Sequence, residues 1–257
     1  CFTMVFAGKP LHNLQDDITA ALLCMKEYNQ QIWYDITAPI LQAVEKLSGK
    51  RETPLLTGKR MDIDKALTTT TENKKDSTFS EIQFWLLFEA YIFNDYDHAA
   101  QIAKQTADIM QVLPSSAFGL QNYFYSGLTA IAIALQSRKG RKKHIRRARK
   151  SLKMLKKFCK LCPQNCLNKI SLLEAELAVV KGNINMGISL YRRSASLAVE
   201  EGLIHEQALA CERASLALRM YGERKNGDHT MSVEFFGRAI KAYGEWGAHA
   251  KVEQMKK

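Results

Sequence analysis

The sequence predicts an all-α protein, built as an α-solenoid of antiparallel helix pairs. Apolar residues recur every three or four positions along most of the chain, which is the spacing of one buried helical face. Proline occurs only five times in 257 residues, and no segment sustains the alternation of polar and apolar residues that is typical of a strand. Short polar turns separate the helices, so consecutive helices are expected to pack as pairs.

Residues 1–48 are predicted to form the first helix pair. Apolar residues at helical spacing follow Asn13, whose side chain is a candidate N-cap for the first helix. A second, shorter helix is expected to begin at Pro39, because proline is favoured at the first position of a helix. Gly49 would end it.

Residues 49–79 are interpreted as a polar, partly irregular connection, with at most a short helix around Asp62–Leu67. Residues 80–257 are predicted to be a helical repeat array that forms one continuous superhelical domain with residues 1–48. Its expected helices are one from Ser80 to the Asn94-Asp95-Tyr96 turn, then Ala99–Met110, Gly119–Leu135, Arg138–Lys160, Leu167–Lys181, Ile184–Glu201, Ile204–Tyr221, Thr230–Trp246 and a last helix from Ala248.

The helix pairs recur at a nearly regular distance. The helix starts at Leu167, Ile204 and Ala248 are 37 and 44 positions apart, somewhat longer than the tetratricopeptide period of about 34 residues. Many small residues lie where such helices approach closely, for example Ala175 and Ala214. These features predict a tetratricopeptide-like α-solenoid, in which each pair buries its apolar side against its neighbours.

Positive charge is concentrated in one segment. Arg138–Lys160 holds 13 Lys or Arg and no Asp or Glu, whereas the rest of the chain has 24 basic and 26 acidic residues. Like charges four positions apart repel within a helix, so a purely solvated face would usually mix signs. The candidate interaction residues in this segment are Arg138, Arg141, Lys142, Lys143, Arg146, Arg147, Arg149 and Lys150.

Several roles remain open for the basic segment. The alternatives are a solvated or intrachain face, a nuclear-localisation-like signal, a contact to phosphates or anionic lipids, and a contact to an acidic protein. Phe158 is its only aromatic residue and is predicted to point inward. A nucleic-acid partner is therefore not favoured, because base-stacking side chains are missing from the segment.

Three cysteines, Cys159, Cys162 and Cys166, lie within eight positions in the stretch KFCKLCPQNC. A structural zinc site needs four ligands, usually from two such groups, and no second C-x2-C occurs. We therefore interpret the stretch as a helix end, with Pro163 stopping the basic helix and Asn165 capping the next one. The three thiols are kept as weak metal candidates, and a redox pair is not favoured without a βαβ context.

The sequence contains no recognisable catalytic or cofactor motif. Gly49-Lys50 and Gly58-Lys59 resemble the end of a phosphate loop, but each lacks the earlier glycine and the following Ser or Thr. His205-Glu206 is not followed by the second histidine of a zinc protease motif. We therefore expect neither enzymatic activity nor a cofactor for this segment.

The chain resembles a known family along nearly its whole length. The resemblance is carried by Cys162-Pro163 with Asn165, by Glu174-Ala175-Glu176, by Glu206 with Ala208-Leu209-Ala210, and most specifically by WGAHAKV at 246–252. Upstream, Gly8-Lys9-Pro10-Leu11 and Tyr123–Leu128 also fit. These elements resemble the helical repeat region of multidomain signalling proteins that contain an AAA-type ATPase, often after a serine/threonine kinase-like domain and before GAF and histidine kinase or cyclase modules.

The resemblance implies a non-catalytic, regulatory fragment of a cytoplasmic signalling protein. Its function would be to bind a protein partner or to couple other domains of the same chain. The basic segment is more uniformly cationic than is usual in this family, which motivates an alternative function as a polyanion-binding helical repeat, with nucleic acid or an anionic membrane as the partner. No membrane-spanning segment is expected, because the apolar run Leu128–Leu135 is too short.

Overall fold

The computed structural model describes residues 2–49, 77–106, 117–225 and 229–257. Within them the chain is helical and forms no strand, which confirms the predicted all-α class. The twelve helices are α1 (Phe2–Phe6), α2 (Leu11–Glu27), α3 (Gln31–Leu47), α4 (Ser77–Ile92), α5 (Tyr96–Gln105), α6 (Ala117–Gln136), α7 (Arg141–Cys159), α8 (Leu167–Val180), α9 (Ile184–Glu200), α10 (Ile204–Lys225), α11 (Thr230–Trp246) and α12 (His249–Lys256).

The helices form two compact units. The first comprises Cys1–Asn122 together with Gly247–Lys257, and the second comprises Tyr123–Trp246. In the first unit, aromatic rings make the centre of the core, with the ring centroids of Phe84 and Phe118 4.7 Å apart. Each such aromatic contact contributes about 0.5–1.5 kcal/mol beyond the area that it buries.

The C-terminal helix α12 is fixed to the first unit by polar contacts. The buried Lys251 donates a hydrogen bond from Nζ to the carbonyl oxygen of Ile92, at 2.6 Å, and Gln254 donates to the carbonyl oxygen of Phe93. Ile92 is the last residue of α4, where helical carbonyls lack intrahelical partners and a cation is favourable. The WGAHAKV stretch therefore supplies a cation that caps a helix 159 positions earlier in the chain.

Consecutive helices of the second unit pack antiparallel. Tyr191 of α9 bonds to Glu176 of α8, and Ser194, further along α9, bonds to Asn168, nearer the start of α8. The turn between the two helices contains Gly182, whose φ of +88° is a left-handed value that favours glycine. Helices α10 and α11 repeat the arrangement through paired serines in their facing sides.

Several helix limits differ from the sequence predictions. Helix α2 begins at Leu11, so Asn13 lies inside it and is not an N-cap. Pro39 lies in the middle of α3 instead of at its start, and α4 begins at Ser77 instead of Ser80. Helix α10 continues past Gly222 to Lys225. The predicted short helix Asp62–Leu67, most of the 49–79 connection and Met110 lie outside the described residues.

Candidate anion-binding surface

Helix α7 is held to the second unit through one side only. Its buried residues are Ala148, Ser151 and Leu155. Gly127 of α6 allows the close approach, because a Cβ atom added there would lie 3.0 Å from Ser151 Cβ and from a Cδ of Leu173. The buried contact is therefore made by small and apolar groups. Two charged side chains add to it, since Lys156 pairs with Glu174 of α8 at 2.6 Å and Arg141 bonds to the carbonyl oxygen of Val180.

The exposed side of α7 carries many cations, and we call eight of them the cationic face. Lys156 is also exposed but is not counted, because it pairs with Glu174 of α8 at 2.6 Å. The cationic face covers roughly 160° of the helix circumference at 3.6 residues per turn. All its side chains are exposed, and no acidic residue occurs between Arg138 and Lys160. The cationic face consists of Lys142, Lys143, Arg146, Arg147, Arg149, Lys150, Lys153 and Lys157.

The cationic face has no anionic partner in the part of the chain that the structure describes. None of its eight side chains lies within 4.0 Å of a carboxylate there. Five pairs within it are separated by four positions, as Arg146 and Lys150 are, and each repulsive pair destabilises a helix by about 0.2–0.5 kcal/mol. The face therefore lowers the stability of α7 by roughly 1–2.5 kcal/mol, and a bound external anion would relieve this repulsion.

Two of the predicted interaction residues lie outside the cationic face, and one of them, Arg141, bonds to the end of α8. Arg138 and Arg141 precede the cationic face and line a cleft of about 530 Å³ with Lys181 and Tyr221. The guanidinium of Arg141 donates a hydrogen bond to the carbonyl oxygen of Val180, the last residue of α8. A cation at that position compensates the unpaired carbonyls and negative dipole end of α8.

Outside α7, the charges of the second unit are nearly balanced. Between Tyr123 and Trp246 the sequence has 23 Lys or Arg and 10 Asp or Glu, of which 13 cations belong to the segment Arg138–Lys160. The remaining ten cations equal the ten acids in number. The excess positive charge of the second unit is thus carried by α7 and the residues next to it. The positive electrostatic potential of the unit is therefore concentrated around that helix.

The three clustered cysteines follow the end of α7. The helix stops at Cys159, four positions before Pro163, which was predicted to stop it, and Cys162 lies exposed in the turn beyond the helix. Asn165 donates a side-chain hydrogen bond to Cys162 Sγ at 3.0 Å. It does not cap α8, whose N-cap position is Cys166 without a side-chain cap bond. The prediction of an Asn165 cap is therefore wrong.

The arrangement of these thiols does not suit a metal ion. In the described residues, no group of three or more His, Cys, Asp or Glu side chains is placed to hold one. Burial raises the pKa of the Cys166 thiol to about 11, against the lowering effect of Lys169, so the thiolate form that binds metal is disfavoured at neutral pH. All five cysteines that the structure describes are free thiols.

A buried charge cluster that the sequence patterns did not predict lies between α8 and α10. Lys169 Nζ is 2.7 Å from Glu206 Oε1, both side chains are 2% exposed, and Asn168 also donates to this carboxylate. Burial by itself raises the pKa of Glu206, but Lys169 and His205 outweigh it and lower the pKa to about 2. Glu206 is therefore a charged carboxylate that is fully engaged in packing.

Further along the same two helices, a second buried pair repeats this arrangement. Arg213 of α10 donates from Nε to Glu176 Oε1 at 2.8 Å, and Tyr191 donates to the same oxygen at 2.8 Å. Glu212 accepts a hydrogen bond from Tyr243 of α11 at 2.9 Å. Each buried carboxylate thus joins helices, and a bonded buried carboxylate stabilises only when its partners are all present.

Comparison with known proteins found no relative. No protein-family model matches the chain, and neither the curated proteins nor the solved structures contain a match. None of the described helices is both long enough and apolar enough to cross a bilayer.

Proposed function

We propose that this chain is a non-catalytic helical-repeat module of a large signal-transduction ATPase or kinase, in which it binds a protein partner or couples flanking domains. The fold that we propose for it is a tetratricopeptide-like α-solenoid. The observation that carries the proposal is the alignment of α8 with α10. Each is the first helix of a helix pair, and residues at equivalent positions of the two helices contact each other.

Residues at equivalent positions of α8 and α10 contact each other. Lys169 and Glu206 are the third residues of these helices, Glu176 and Arg213 are the tenth, and each pair is separated by 37 positions. The first helices of two successive pairs therefore lie side by side and parallel, without a shift along their axes. Repeat proteins stack equivalent helices in this manner, and the concave side of such a stack binds partners.

The chemistry of the interior supports a non-catalytic role. Glu176, Glu206 and Glu212 all bond to side chains of other helices, so their charge is used to hold the array together. The resemblance of WGAHAKV and its companion motifs to signalling ATPases suggests where such an array belongs. In those proteins the repeat region lies between a nucleotide-binding domain and an output domain, which fits a coupling function.

The coding sequence on both sides of this segment tests the proposal. It is expected to encode an AAA-type ATPase upstream and GAF, histidine kinase or cyclase modules downstream. In that protein, Lys169→Met is expected to uncouple output from ATP hydrolysis while hydrolysis continues, whereas Lys150→Met at the surface leaves coupling intact. An in-frame stop codon immediately before Cys1 would remove the multidomain proposal.

A second candidate function is the binding of a polyanion by the cationic face. The observation that favours it is the set of eight exposed cations without a carboxylate partner in the described residues. Neutralising several phosphates or sulfates with Lys and Arg releases counterions, so the affinity of such a surface falls steeply with salt.

Two variants with the same change in net charge test this second function. The reversal variant changes the centre of the cationic face, and the control variant changes exposed cations elsewhere. The reversal variant is expected to lose binding to inorganic polyphosphate in a fluorescence anisotropy titration, whereas equal binding by both variants would exclude a localised site. The substitutions are Arg146→Glu, Arg147→Glu, Arg149→Glu and Lys150→Glu in the reversal variant, and Lys9→Glu, Lys104→Glu, Arg193→Glu and Arg219→Glu in the control variant.

A further inference from the structure

The cationic face is broad and long. Lys142 and Lys157 are 15 positions apart, which is about 22 Å along the helix axis at 1.5 Å per residue. The face is the outer half of a single helix whose inner half is buried against the unit. A charged plane contacts such a surface along its whole length, while a single bound phosphate group would reach only a few of the cations.

The composition of the cationic face favours attraction to a charged surface over recognition of a particular nucleic-acid sequence. Its exposed side chains are all Lys or Arg, and no Asn, Gln or aromatic residue lies among them. Reading a nucleic-acid sequence uses amides together with guanidinium forks at base edges, and binding single strands uses stacked aromatic rings. The face offers guanidinium groups but neither amides nor aromatic rings. An anionic lipid surface needs neither, because its headgroups attract each nearby Lys or Arg through the surface potential alone.

An exposed leucine adjoins the face. Leu161 follows the end of α7 and is 87% exposed, which is the highest value among the large apolar side chains that the structure describes. Lys160 precedes it and the exposed Cys162 follows it. A single exposed leucine is ordinary on a protein surface, but at the end of a polybasic helix it lies where it can enter the boundary between headgroups and acyl chains.

We propose that the cationic face of α7 docks on the surface of an anionic lipid bilayer, with Leu161 inserted at the level of the headgroups. This inference rests on the polyanion-binding function proposed above and names its partner. The helix would lie parallel to the bilayer surface and would place its apolar inner side toward the rest of the unit. Docking would confine the module to a membrane that exposes acidic lipids.

The proposal assigns separate functions to the cations and to the leucine. The cations supply attraction that weakens with salt, because counterions screen it within about one Debye length. The leucine supplies attraction that salt leaves unchanged, because burial of an apolar side chain does not depend on charge. The two contributions are therefore separable by salt titration of the corresponding variants.

Co-sedimentation with vesicles tests the proposal directly. The vesicles contain phosphatidylcholine alone or with about 30 mol % phosphatidylserine, an acidic lipid of cytoplasmic leaflets. The unmodified chain is expected to bind only the acidic vesicles. The reversal variant should bind them at least 100-fold more weakly, whereas the control variant should bind like the unmodified chain. Leu161→Ser should weaken binding about tenfold at every salt concentration, with its helical circular dichroism unchanged.

Other polyanions form the second arm of the experiment. Duplex DNA, polyglutamate and polyphosphate are titrated under the same conditions. If one of them binds through the cationic face while acidic vesicles do not, or if Leu161→Ser binds vesicles normally, the bilayer proposal is wrong and the broader polyanion function stands. If no polyanion binds, both fail. Equal binding to neutral and acidic vesicles would also contradict the proposal.

Discussion

Helices α7 and α8 are neighbours in the chain, and each contains lysine, but in opposite surroundings. Lys150 of α7 is exposed with no carboxylate within 4.0 Å in the described residues, whereas Lys169 of α8 is 2% exposed and bonds to Glu206. A buried cation without its partner would be strongly destabilising, while an exposed cation contributes little to folding. The buried charge of Lys169 therefore belongs to the fold, whereas the charges of the cationic face are available for binding.

The same contrast holds for how the two helices are anchored. Helix α8 buries eleven residues, of which four are polar or charged, whereas α7 buries three. Few substitutions of α7 outside its buried residues and the two cations that contact α8, Arg141 and Lys156, should therefore matter to stability, while most of those in α8 should. Four experiments test this contrast.

The largest expected effect is that of Lys169→Met. Removing the cation leaves Glu206 buried without its main partner, which costs about 3–5 kcal/mol in comparable sites. Urea unfolding monitored by circular dichroism measures it, and Lys150→Met is the matched control, with a change within about 0.5 kcal/mol. If the two variants proved equally stable, the distinction between the helices would be wrong.

The dependence of the free energy of unfolding on pH should show the contribution of the same carboxylate, Glu206. The pKa of Glu206 is lowered from 4.5 to about 2 in the folded protein, so its stabilising contribution is complete above about pH 4.5 and is lost as the pH falls toward 2. Up to roughly 3 kcal/mol is at stake. Glu206→Gln should show a smaller loss of stability across this range. Identical pH profiles for both proteins would contradict the assignment.

The packing of α7 against α6 should be sensitive to the addition of a single methyl group at Gly127. Gly127→Ala would bring a Cβ to 3.0 Å from Ser151 and Leu173, and overpacking of this kind costs about 1–3 kcal/mol. Gly237→Ala in α11 is the control, since no atom lies within 4 Å of its new Cβ, and it should gain about 0.5–1 kcal/mol from helix propensity. Thermal unfolding of both variants measures whether each substitution lowers or raises stability.

The smallest effect is expected for the reversal variant, and its sign is the informative part. Replacing four cations by glutamate converts three repulsive pairs at four-residue spacing into attractive ones, among them Lys142 with position 146. Stability should therefore rise by about 1 kcal/mol. A clear loss of stability in urea unfolding would mean that the cationic face has a role inside the fold.

Much of the helical pattern followed from the sequence, because glycines and apolar periodicity mark the ends of these helices. The prediction for Thr230–Trp246 is confirmed at both ends, and α8 begins at Leu167 as predicted. Pro39 was misleading, because proline at a helix start is common while here it lies within α3. The helix ends are thus predictable at turn glycines such as Gly202 and Gly247, whereas Gly222, which was predicted to end α10, lies inside it.

The buried charge pairs were the part that sequence reasoning missed. Lys169 and Glu206 are 37 positions apart, and nothing local to either residue distinguishes it from a surface charge. Aligning the predicted starts Leu167 and Ile204 would have matched them, since that spacing is also 37. The basic segment was visible in the sequence because it depends on neighbouring residues, although Arg138 and Arg141 lie outside the cationic face. Its role in interaction stays a prediction.

Covalent labelling of lysines under native conditions tests the central claim most directly. An amine-reactive reagent is added to the folded protein, and the labelling rate of each lysine is followed by mass spectrometry. Lys150, Lys153 and Lys157 are expected to react at the rate of a free side chain, and Lys169 only when the protein unfolds. Rapid labelling of Lys169, or protection of the cationic face in the isolated protein, would contradict the division between folding and binding charges.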